Sequence, residues 1–227
     1  MKQELRIKNP SRKISFEKAL VAIIRLGLCA SLLIPFITVY SVLFPFVFSK
    51  ALIFEILLEA LAVFYVTVVL LYPKYRPKLN SPLHRAMLLF MASLVLSTIL
   101  SANVYNSFWG TEERGTGLFT LLHFFLFYFM FVSVFVNWRV LFLRLAGISG
   151  IVMATYVIYQ TFYVSGFGER PVATLGNPGY VGSFLLFFVF FVPVLFFYEK
   201  RRMLRILWSI AELVIVFSLV LNATRAA

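Results

Sequence analysis

Three arginines stand in segments made for turns rather than burial: Arg114 in Trp109-Gly110-Thr111-Glu112-Glu113-Arg114-Gly115-Thr116-Gly117, Arg170 in Gly168-Glu169-Arg170-Pro171, and Arg225 after Asn222 and Thr224. A guanidinium presents a planar fork of donors that grips two phosphate oxygens at once. The run Gly176-Asn177-Pro178-Gly179 is turn chemistry placed directly before an apolar stretch. It predicts a helix whose free N-terminal N–H groups favour an anion. Three arginines on one face beside that terminus would cradle a diphosphate, each charge-assisted contact contributing about 1.5–3 kcal/mol. A plainer reading stands beside this one, in which Arg114 pairs with Glu112 or Glu113, and Arg170 with Glu169, as interfacial ion pairs.

Other side chains invite the same double reading. His123, near the start of an apolar run, either touches a ligand head group or serves as an interhelical hydrogen-bonding residue. Glu112, Glu113 and Asn177 are auxiliary candidates beside the arginines, with capping or arginine pairing as the alternative for the glutamates. Glu55 and Glu59 are spaced i, i+4 on one helix face, which suits a proton relay or a hydrogen-bonded structural pair. Glu212 shares that ambiguity. No CxxC, HExxH or carboxylate cluster with metal spacing occurs, so no metal and no cofactor are expected. No Walker A sequence argues for direct ATP use.

The elements that must position these groups follow from composition. Of 227 residues, 62% are hydrophobic and 13% charged, with 27 Phe and no Asp. A mean hydropathy of +0.94 excludes a soluble globule, disorder and a disulfide scaffold, and predicts an all-α polytopic membrane bundle. Apolar runs bounded by charges or turn residues predict seven helices, at 19–41, 51–71, 84–102, 118–137, 140–164, 179–198 and 204–224. A basic N-terminal segment, 1–18, precedes a membrane-embedded domain, 19–227. The single cysteine, Cys29, can form no intrachain disulfide, and the bulky Leu28 before it argues against a lipoprotein signal.

Loop charges orient the bundle. Six Lys and Arg lie in 1–18, four in 74–85, two in 139–144 and four in 200–205, against Lys50, Arg114, Arg170 and Arg225 on the other side. This places the N-terminus in the cytoplasm and the three arginine-bearing segments outside. The net charge of +12 is therefore a topology signal lying against anionic lipid, with no nucleic-acid partner expected. No internal repeat supports a secondary transporter.

The segment Ser107 to Phe124, with Trp109-Gly110, Arg114 and Gly117-Leu-Phe-Thr-Leu-Leu-His123, resembles the corresponding segment of the O-antigen ligase and polymerase superfamily. Arg170-Pro-Val-Ala-Thr-Leu-Gly176-Asn177-Pro178-Gly179-Tyr180 resembles its Gly-Asn-Pro motif, and Thr224-Arg225-Ala226 its Thr-Arg-Gly or Thr-Arg-Ala signature. About 40 residues carry the likeness. It implies a glycosyltransferase of the bacterial cytoplasmic membrane that moves a glycan from undecaprenyl diphosphate to a glycan or lipid acceptor on the outer side. It also implies that Arg114, Arg170 and Arg225 bind the diphosphate. Members have about ten to twelve spans and a large outer loop with a functional histidine; this chain stops at Ala227, before any such loop. The expectation is thus an N-terminal membrane portion, truncated at the C-terminus, with its catalytic residue unknown. O-antigen polymerase, lipid-linked glycan transporter and non-catalytic membrane fragment are the alternatives.

Overall fold

Backbone in hydrocarbon finds no water to bond, so a long apolar run must close its hydrogen bonds within itself, as a helix does. The computed structural model describes residues 10–77, 81–111, 115–135, 138–165 and 169–222. Among them are eight α-helices and no strand: α1 (Pro10–Ala30), α2 (Phe48–Leu71), α3 (Pro82–Ile99), α4 (Val104–Trp109), α5 (Leu118–Val134), α6 (Arg139–Tyr159), α7 (Pro178–Tyr198) and α8 (Arg202–Asn222). Six helical stretches are long and apolar enough to cross a membrane, and α5 is a shorter apolar helix of 17 residues. The protein is a multi-pass, all-α membrane bundle.

The seven predicted helices are present, with differences at their ends. The first begins at Pro10 rather than near 19, because helix continues through basic residues that hydropathy cannot see, and proline is favoured at a first position. It tightens into a 3₁₀ turn over Ser31–Phe36, where Pro35 lacks an N–H and its ring crowds the carbonyl four residues back. The helix α5 stops at Val134 and reaches about 25 Å, short of the roughly 20 residues a perpendicular span needs. Between them α4 is an added helix, capped by the Asn103 side chain, which accepts from the Asn106 N–H.

The chain divides into two compact units. The first takes in Met1–Ser31 and Ala51–Val136. Within it α1, α3 and α4 pack against α5. The Arg25 side chain donates to the Val134 carbonyl at 2.7 Å, a cation at the electronegative end of α5. Lys74 and the Tyr75 hydroxyl both meet Glu17, at 2.7 and 2.9 Å, tying the α2–α3 connection to the start of α1.

The second unit takes in Leu32–Lys50 and Asn137–Ala227. Its core is a three-helix cluster of α6, α7 and α8, with Met153, Val157, Leu185 and Ile215 fully buried. Small residues on α6 allow this close approach: a Cβ at Gly147 would stand 2.7 Å from Leu195, and one at Gly150 would stand 2.6 Å from Phe188. The outer faces remain apolar and exposed, as at Phe190 and Phe197 on α7, which is the surface lipid covers.

Candidate functional site

Residues Pro171 to Gly179 form a turn held from every side within the second unit. Ala173 sits at φ 45 and Gly176 at φ 73, both in the left-handed region. Glycine reaches that region freely, whereas alanine is strained there. The strain is sustained by anchors. The Ala173 N–H donates to Gln160 Oε1 at 2.7 Å, and Thr174 Oγ1 donates to the Pro35 carbonyl at 2.9 Å. Gln160 opens a π-helical segment, Gln160–Ser165, that continues α6, and such segments gather at functional sites. Strained backbone that is over-determined by its surroundings is also common there.

Two cations attach to this turn. Lys50 Nζ, half-buried at the start of α2, donates to the Thr174 carbonyl at 2.8 Å and lies 5.9 Å from the Phe46 ring centroid. Arg170, exposed, donates through Nε to the Asn222 carbonyl at 3.3 Å. The Asn222 amide returns a bond to the Pro171 carbonyl at 3.2 Å, so the end of α8 and the start of the turn are cross-linked. The Thr174 carbonyl satisfies a donor of Lys50 without neutralising its charge, and the Asn222 carbonyl takes one donor of Arg170. Lys50 has no carboxylate partner among the described residues.

Asn177 caps α7: its Oδ1 accepts from the Gly179 N–H at 2.7 Å, and Pro178 takes the first helical position. This corrects the expectation of free donors at that terminus. Proline has no N–H, Gly179 is taken by the cap, and Tyr180 and Val181 donate to the Asn177 carbonyl at 3.1 Å each. The helix dipole remains, but anion binding here depends on the side-chain cations.

In the first unit, Gly110 and Gly117 bracket the segment that carries Arg114. A Cβ on Gly110 would meet the Gly117 amide nitrogen at 2.6 Å, so the two backbones touch where no side chain fits. Phe119 stacks obliquely on Trp109 at 5.1 Å and edge-on to His123 at 4.6 Å. His123 is buried and engages Glu59, while Glu55 engages Thr120. Glu169 is exposed. Glu212, mid-way along α8, keeps Oε2 buried without a hydrogen-bond partner among the described residues.

Arg114, Arg225, Glu112 and Glu113 lie outside the described residues. Of the proposed cradle, the structure therefore locates Arg170 and Asn177, at opposite ends of one turn. Lys50, counted among the outward cations, is a further candidate that sequence reasoning did not single out. No group of three or more His, Cys, Asp or Glu that could hold a metal occurs among the described residues. Compared with protein-family models, with curated proteins and with solved structures, the chain matches none.

Proposed function

We propose that the chain works as, or within, an O-antigen ligase-like glycosyltransferase, moving a glycan from undecaprenyl diphosphate to a glycan or lipid acceptor at the outer face of the bacterial cytoplasmic membrane. The observation that supports this reading is the strained turn from Pro171 to Gly179, which joins Lys50 and Arg170 to the motif containing Asn177. A polyprenyl diphosphate carries its charge at the membrane surface, where the loop charges put this turn.

In the transfer, the acceptor hydroxyl attacks the anomeric carbon of the donor sugar and the bond from that carbon to the diphosphate oxygen breaks. The electron pair leaves with the diphosphate, and the acceptor's proton passes to a base. Cations fixed beforehand next to the departing oxygens stabilise the charge that develops there. Lys50 and Arg170 are suited to that task because their donors are partly spent on carbonyls, which hold them in place. Arg114 and Arg225 complete the proposed set on the strength of the sequence resemblance.

Expression of the full reading frame in a strain lacking its O-antigen ligase tests the proposal. Restored glycan capping on lipopolysaccharide gels is expected, with capping lost in Arg170→Ala and Lys50→Gln at unchanged membrane insertion. A properly inserted protein that never restores capping to any acceptor supplied would sink the ligase reading.

A further inference from the structure

Two polar rungs join α2 to α5 inside the first unit. Glu55 and Glu59 lie one turn apart on α2, and Thr120 and His123 lie one turn apart on α5. The Thr120 hydroxyl is within hydrogen-bond reach of Glu55 Oε1 and of the Gly115 carbonyl. His123 Nε2 stands 3.5 Å from Glu59 Oε1, and His123 Nδ1 stands 2.8 Å from the Phe119 carbonyl.

The second rung has a proton count that can be worked out. A carbonyl oxygen has no hydrogen to give, so Nδ1 carries one and donates it to Phe119. A neutral ring with its hydrogen on Nδ1 has a bare lone pair at Nε2, and an ionised Glu59 faces it with lone pairs only. Two acceptors turned toward each other inside a membrane span, with little water to separate them, repel. A single added proton converts the contact into an attraction, whether it resides on Nε2 or on the carboxyl.

We propose that Glu59 and His123 form a proton-binding dyad within the membrane, holding one proton between Oε1 and Nε2. The two partners differ in access: the His123 side chain is 8% exposed and that of Glu59 57%. The ring is thus the sheltered end of the pair. The edge of His123 packs against Phe119, whose carbonyl fixes the tautomer.

The other titratable groups on elements packed against α5 make different contacts. On α1, from Phe16 onward, Glu17 pairs with Lys74 and Arg25 donates to Val134, leaving Lys18 and Cys29. On α3, His84 lies against the Tyr128 ring and Arg85 is exposed; on α4, Tyr105 is exposed. On α2, Tyr65 bonds Ser133, and Glu55 is the one carboxylate flanking the dyad.

The chain has only two histidines, so ¹⁵N-histidine labelling of the full chain with His84→Gln, reconstituted in lipid nanodiscs, leaves a single ring to follow by NMR across pH. The expected spectrum keeps hydrogen on Nδ1 throughout, with Nε2 gaining and losing one. Glu59→Gln should move the Nε2 resonance, because the carboxylate facing that nitrogen is replaced by a neutral amide. Glu55→Gln, whose carboxylate engages Thr120, should leave that resonance where it is in the parent. A ring protonated on Nε2 and bare on Nδ1 at alkaline pH would overturn the proposal, as would an Nε2 resonance that Glu59→Gln leaves unchanged. The tautomer of the chain with Glu59 intact decides the matter by itself if Glu59→Gln does not insert.

Discussion

The two ends of the second unit hold their cations differently. At the end that the loop charges place inside, Arg144 grips Glu199 with both arms of its guanidinium, at 2.5 and 2.9 Å, and the Glu199 side chain is 3% exposed. At the outward end, Lys50 rests on the Thr174 carbonyl and Arg170 on the Asn222 carbonyl. A cation matched to a buried carboxylate is neutralised, and its role is completed within the fold. Lys50, held by a carbonyl dipole and without a carboxylate partner among the described residues, keeps its charge for whatever approaches. The difference separates structural charge from charge that can serve a ligand.

Substitutions at the two ends should break or sharpen that contrast. The largest expected effect is structural: Arg144→Ala strands a buried carboxylate and should cost about 3 kcal/mol. Thermal melting in detergent should show the loss, and Arg144→Met with Glu199→Met should recover most of it. Next comes Gly176→Ala, where the new methyl must adopt φ 73 and would come within 2.6 Å of Phe46. A loss of about 2 kcal/mol is expected, read by the same melts. Asn177→Ala removes the α7 cap and should cost about 1 kcal/mol, while Asn177→Asp should leave stability close to that of the parent. Lys50→Gln should be milder still in stability, yet the proposed function makes it severe in glycan transfer.

The smallest effect lies in the first unit. The hydrogen bond that Lys74 donates to Glu17 holds its ammonium above the ordinary lysine value, with burial opposing it. A raised value means that the pair's contribution is fully present below about pH 10.4, and is lost only as pH rises through the higher folded value. Melting temperature should therefore show no change traceable to this pair between neutral and mildly alkaline pH, and Lys74→Ala should shift it little, since the ammonium is largely exposed and solvent screens it. A marked loss in Lys74→Ala at neutral pH would contradict that account.

Helix existence was legible because each span is a continuous apolar run, and lipid leaves such backbone only one way to close its hydrogen bonds. Ends were less so. Hydropathy marks where the membrane begins, whereas α1 continues back to Pro10 through charged residues. The helix α4 went unread because it is six residues long and lies in a polar loop that hydropathy scores as a break. The terminus of α7 was expected to be open, and it is the cap geometry that closes it: Asn177 accepts from Gly179, and Pro178 between them has no N–H. Lys50 was visible as a charge, but its bond to Thr174 spans more than a hundred residues and no local pattern announces it. The pairing of Glu59 with His123 was hidden for the same reason: each helix displays its own spacing, and only the packing of α2 on α5 brings the two together.

The measurement that bears most directly on the central claim is the affinity of undecaprenyl diphosphate for the full chain in nanodiscs, compared among the parent, Lys50→Gln, Arg170→Gln and Lys74→Gln. Loss of one charge-assisted contact should weaken binding roughly tenfold or more at Lys50 and at Arg170, and leave it unchanged at Lys74. Equal affinities across all four would contradict the account of the outward turn as a diphosphate site.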